Sequence, residues 1–279
     1  MGAIGLALGF AIFIWWFSTG IVIMLNRMSK TAVRLSLGLS SLLGLGALVG
    51  LAHTADQSDM AAYYCAFTCA LLAWGWNELS FLTGWITGPQ KTAISPQVQG
   101  WPRLVASTKA VIWHELGILW VGATIVAITW GEVNQVGTST YLVLWLMRTS
   151  AKFNLFLGVR NLSEQFLPTH LAYLQSFFRR RRMNAFFPFA LALAALYWLS
   201  LIDQVRQPSV PPAEVVGLVL VATLLALAIL EHLMLVLPLD PTALWQWALR
   251  KPVAAPASAR TEPTTAQELE SHDASYPAH

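Results

Sequence analysis

The chain has 279 residues, of which 56% are hydrophobic and only 11% charged, with a formal net charge of +3. A soluble domain carries about 25% charged residues, so this composition excludes an ordinary soluble enzyme and points to a membrane protein. The basic residues fall between long apolar runs, which excludes a nucleic-acid-binding surface and fits an orientation signal.

Seven runs are predicted as transmembrane helices, at 2–25, 34–54, 61–86, 105–129, 139–159, 185–202 and 214–237; a helical span takes about 20 apolar residues. The runs are continuous, where a β-barrel would show short alternating strands. The first has no basic n-region and is too long for a signal-peptide core, so it is read as a span. The second is rich in Gly and Ser, which predicts close helix packing. In the third, Cys65 and Cys69 share one helix face and are read as small packing residues, with redox or metal use as the alternative. The fold class expected is therefore all-α, a polytopic bundle at 1–240, followed by a cytoplasmic, mostly disordered tail at 241–279.

Orientation follows from the connections. Arg27, Lys30 and Arg34 flank the first, Lys91, Arg103 and Lys109 the third, and Arg160 with 179–182 the fifth. Asp56, Asp59 and Glu132 mark the second and fourth, and the sixth is mixed. The positive-inside rule then sets the N-terminus outside and the C-terminus in the cytoplasm. In the long fifth connection, residues 171–178 are amphipathic and aromatic and are expected in the headgroup layer. The four arginines that follow are either a plain orientation signal or a site for anionic lipid or a partner.

The chemistry lies in ionisable residues inside apolar runs. Glu78, His114, Glu115, Glu231 and His232 are all at span depth, where a charged group costs at least ~2.5 kcal/mol and is a functional hypothesis by default. With the orientation above, they and Lys152 fall ~8–14 Å from the cytoplasmic ends of their spans, and Glu164 and His170 lie just beyond span five. Glu78, His114, Glu115, Glu164, His170, Glu231 and His232 form a candidate metal-ligand inventory, since carboxylates with imidazole suit iron, manganese or zinc. Bundle-core di-iron sites use Glu-x-x-His pairs; here Glu and His are adjacent in sequence, a departure from that pattern. The competing reading pairs Glu115 or Glu231 with Arg148 or Lys152 in structural ion pairs. His114 and His232 are also candidate axial ligands for a tetrapyrrole of bacteriochlorophyll type.

Of thirteen tryptophans, most fall near span ends, as aromatic belts do. Trp74, Trp76, Trp113 and Trp120 sit deeper and are read as packing residues or as the walls of a cavity for a flat ligand. There is no phosphate-binding Gly-rich loop after a strand and no Gly-x-Ser-x-Gly elbow.

The stretches FIWWFSTG, AFTCALLAWGWNELSFLTG, WHEL, ITWGEVNQVGT, LMRTSAKFNLFLGVRNLSEQFLPTHLAYLQSFFRRRRMN and ATLLALAILEHLMLVLPL resemble the photosynthetic complex assembly protein 2 family, PuhE, over roughly residues 8–250. The resemblance implies a multi-pass protein of the bacterial inner membrane. Its partners would be the lipid bilayer, reaction-centre or light-harvesting subunits, and bacteriochlorophyll, which it would help assemble or supply. It supplies no reaction. The alternative carried by the Glu/His inventory is a membrane metalloenzyme with iron, acting in tetrapyrrole or bacteriochlorophyll biosynthesis.

Overall fold

The computed structural model describes residues 2–238 and 241–249. Seven long helices are present: α1 (Gly2–Leu25), α2 (Lys30–Thr54), α3 (Met60–Leu82), α4 (Gly100–Thr129), α5 (Val136–Leu157), α6 (Phe186–Arg206) and α7 (Pro212–Val236). Among the described residues there is no strand, only an isolated bridge between Val159 and Arg180. The helices follow the expected runs to within about five residues at each end. Several boundaries have a local cause. Asp59 caps α3 by accepting from the amides of Ala61 and Ala62 at 2.8 and 3.1 Å, and Ser29 caps α2 through the amide of Ala32. α3 stops at Leu82, short of the expected end at 86, because Gly84 turns the chain at φ +76° and the amides of Trp85 and Ile86 fold back onto the Ser80 carbonyl.

Five helices, α1, α2, α4, α6 and α7, are long and apolar enough to cross a membrane, which fits a multi-pass membrane protein. Among the described residues seven long helices stand where seven spans were expected, and five of them have the length and hydropathy of a span. α3 and α5 fall short because they carry Asn77 and Glu78, and Arg148, Lys152 and Asn154. Those polar groups are sheltered by neighbours, so the two helices need not be apolar all round. Twelve residues of α3 are buried, from Ala62 to Phe81. The Gly-rich α2 packs closely on α3, Gly44 facing Trp76 and Gly50 facing the Cys69 sulfur.

The two ends of the bundle differ. At one end the connections 55–59, 130–135 and 207–211 are short, and Asn134 bridges two of them, its backbone amide on the Ala55 carbonyl at 2.9 Å and its side chain on that of Thr54 at 3.0 Å. The other end is capped by 83–99, 158–185 and 241–249. Segment Thr169–Phe177 forms a 3₁₀ helix whose Leu171, Leu174 and Phe177 pack on Phe81 and Ala110. Its apolar side is thus turned onto α3 and α4. Beyond α7, Pro241–Trp245 and Gln246–Leu249 are helical and return to α1. Trp16 Nε1 donates to the Leu244 carbonyl at 2.8 Å, and Trp245 Nε1 donates to that of Trp16 at 3.0 Å. The compact unit includes these residues and runs through Leu249; the tail expected to be disordered, from about 254, lies outside the described residues.

Candidate functional site

The charged layer is organised by α5. Arg148 and Lys152 are four residues apart and so share a helix face. Arg148 Nη2 bonds Glu78 Oε2 on α3 at 3.0 Å, and Lys152 Nζ bonds Glu115 Oε1 on α4 at 2.5 Å. Ser150, on the opposite face of α5, meets His232 Nε2 on α7 at 3.0 Å. One helix thus ties α3, α4 and α7 together through polar contacts, as the ion-pair reading requires, though with Glu78 as well as Glu115 as the carboxylate partners.

The layer is not sealed. The side chains of Arg148, Lys152, Glu115 and Glu78 keep 41%, 24%, 24% and 13% of their surface accessible. Glu231 is exposed on α7. Its Oε1 accepts from Trp15 Nε1 on α1 at 3.1 Å. Among the described residues it has no ion-pair partner, although Arg148 and Glu78 lie within electrostatic reach. Counting Glu78, Glu115 and Glu231 against Arg148 and Lys152, three carboxylates face two fixed cations.

The histidines differ sharply. His232 is buried and both ring nitrogens are engaged, Nδ1 with the Ala228 carbonyl at 2.9 Å and Nε2 with Ser150. His114 is 1% exposed, tilted against the Phe81 ring at 4.5 Å, and its buried Nε2 has no partner among the described residues. His170 lies away from both; its Nε2 contacts the Leu82 carbonyl at 2.9 Å. Glu164 pairs with Arg180 at 3.5 Å outside the layer.

Of the seven candidate metal ligands, the structure brings Glu78, Glu115 and Glu231 into one charged layer with His114 and His232 beside it, and leaves Glu164 and His170 elsewhere. Among the described residues no three His, Cys, Asp or Glu side chains converge as a metal-binding group. Glu78 and Glu115 are each taken by a cation, and His232 by two hydrogen bonds. For a tetrapyrrole, His114 Nε2 has the right donor chemistry but no room, since the ring is enclosed on all sides. The deeper tryptophans do not wall a cavity there: Trp113 and Trp120 are 54% and 67% exposed, while Trp76 donates to Ser41 Oγ at 2.9 Å and Trp74 packs edge-on to Tyr141.

Several residues that hold the site carry no sequence signal. Ser150, Asn154 and Asn184 look like ordinary small polar residues in an apolar background. Yet Asn184 donates to Asn154 Oδ1 and the Gly158 carbonyl and accepts the Phe187 amide, joining the end of α5 to the start of α6. Arg103, buried at the start of α4, donates to the Phe156 carbonyl at 2.9 Å and to that of Phe177.

No solved structure matches this chain. It is 37% identical over 259 residues, covering 90% of this chain and 93% of the relative, to a Rhodobacter capsulatus protein described as an "uncharacterized 30.4 kDa protein in puhA 5′ region". A family model, "Protein of unknown function (DUF3623)", matches residues 1–255. With nearly the whole helical bundle inside that match, the chain belongs to the DUF3623 family.

Proposed function

We propose that this protein is a multi-pass inner-membrane factor for assembly of the photosynthetic reaction centre–light-harvesting complex, or for supply of bacteriochlorophyll to it. The observation that carries this reading is similarity over 90% of the chain to a relative whose description sets it in the puhA 5′ region. In this reading all seven long helices cross the bilayer, the N-terminus is outside, and the capped end, with Arg27, Arg103 and 179–182, faces the cytoplasm. α3 and α5 cross as inner helices, their charges shielded by the apolar five.

The charged layer suits an assembly role better than a catalytic one, because its carboxylates are matched to cations rather than gathered around a metal. Two ion pairs and the Ser150–His232 contact hold four helices in register. Glu231 is left over, accessible and, among the described residues, bonded only to an indole. It is the group through which the bundle would meet a basic or hydrogen-bonding residue of a client helix within the membrane, where such contacts stabilise helix association.

The test is a phototroph lacking its copy of this gene. Assembled reaction-centre–antenna complex, or its pigment content, falls while respiratory growth is unaffected. Unchanged complex and pigment in that strain would overturn the proposal.

A further inference from the structure

The capped end holds a second charged feature, separate from the intramembrane layer. Arg103 is 5% exposed, and among the described residues no carboxylate pairs with it. Its guanidinium bonds two backbone carbonyls and lies 3.9 Å from the Phe156 ring centroid. Carbonyl dipoles and a ring face moderate a buried charge without cancelling it. Arg179 and Arg181 add to the excess, both close enough to act electrostatically on Arg103. The carboxylate of this segment, Glu164, is already taken by Arg180.

A cleft of about 330 Å³ opens beside these groups, lined by Arg103 and Arg179 together with Gln99, Gln175 and Ser176. Arg179 bonds Gln99 Oε1 across it. α4 begins at this cleft, and no side chain caps its first turn. Free amides at a helix start favour an anion, and arginine is suited to phosphate by its forked donors. Trp85 and Trp101, 61% and 73% exposed, lie on the neighbouring surface of the connection and of α4's first turn. Exposed indoles of this kind mark a headgroup level.

We propose that the cleft binds one phosphate-type anion, either the phosphodiester of an anionic lipid headgroup or free phosphate, held by Arg103 and Arg179 with Gln99 and Gln175 as polar neighbours. The anion supplies the counter-charge that the described residues do not provide. It also pins segment 158–185 to the start of α4, because Arg179 comes from one and Arg103 from the other.

The test uses the purified full chain in zwitterionic micelles, titrated with fluorescent phosphatidylglycerol. Salt at about 1 M screens exposed charges beyond ~3 Å. Saturable binding of one lipid per chain is expected. Arg179→Gln weakens it about tenfold, as loss of a charge-assisted hydrogen bond does, while Arg182→Gln, with its exposed guanidinium, leaves it within about twofold in this salt. Arg103→Lys, with the fold checked by helical circular dichroism and melting temperature, also weakens it, since lysine lacks the fork. Competition separates the sources. Displacement by unlabelled phosphatidylglycerol alone assigns a lipid headgroup, and displacement by inorganic phosphate as well assigns a general phosphate site. Equal weakening in Arg179→Gln and Arg182→Gln, unchanged binding in both Arg179→Gln and folded Arg103→Lys, or competition by phosphatidylcholine as strong as by phosphatidylglycerol, overturns the proposal.

Discussion

Arg148 and Lys152 stand one helical turn apart on α5 yet answer to different helices, Arg148 to Glu78 on α3 and Lys152 to Glu115 on α4. The two pairs are therefore coupled through one rigid backbone. Shifting α5 along its axis would strain both at once, so the pairs help fix the register of three helices, beside Tyr141 of α5, which accepts from Asn77 on α3 and donates to the Ile118 carbonyl on α4.

Removing one partner of a pair should cost more than removing both. Lys152→Met leaves the Glu115 carboxylate without its cation, at a cost of ~3 kcal/mol or somewhat less given its partial exposure. Glu115→Gln combined with Lys152→Met should recover part of that loss. Thermal melting of the wild type, both single variants and the double variant in detergent checks this. A double variant whose loss equals the sum of the two single losses would show that the pair is not coupled.

Glu231→Gln separates a working carboxylate from a structural one. The Gln carbonyl can still accept from Trp15 Nε1, so protein level and melting temperature should stay near wild type. Arg148→Gln and Lys152→Gln break fixed pairs and should lower protein level. Assembled pigment complex in the same strains is the second readout. Normal protein with reduced complex only in Glu231→Gln is the expected pattern; normal complex there would remove Glu231 from the site.

Reporter fusions after Asp56, Glu132 and Arg206 should all read the outside, and one after Arg182 the inside. The first three follow short connections at one end of the bundle, and the last lies in the capped end. A single reversed reporter would divide the charged layer between leaflets and rule out the seven-span arrangement.

Asn184→Ala removes donors to Asn154 Oδ1 and the Gly158 carbonyl and the acceptor for the Phe187 amide. Leaving such buried groups unmet should cost ~2 kcal/mol. The melting temperature in detergent measures it, and an unchanged value would show that water replaces all three contacts.

The helices are legible in the sequence because apolar length is a local property. The depth of Glu78, Glu115 and Glu231 is legible too, because depth follows from counting residues along a span. Pairing is not legible in the same way. Whether Arg148 meets Glu78 or Glu231 depends on how far each helix is rotated about its axis, and a step of about 100° per residue makes that choice sensitive to packing elsewhere. Segment 171–178 shows the same limit: its amphipathic pattern announces an apolar side but not whether lipid or protein covers it. Arg103 reads as a loop-flanking basic residue because nothing local tells that two carbonyls from distant segments close over it. Residues 241–249 read as tail because nine residues are too few for a periodic signal, yet two indole hydrogen bonds anchor them to α1.

That anchoring bears on the order in which the molecule can be completed. Gly20 on α1 leaves room for the Trp247 ring, where a Cβ would stand 2.0 Å from it. Trp15 and Trp16 wait on Glu231 and Leu244, more than two hundred residues downstream. A helix that emerges first from the ribosome is thus given its polar partners last. Until residues 231 and 244 have been made, Trp15 and Trp16 lack these acceptors, so the packing of α1 is completed among the last steps of synthesis.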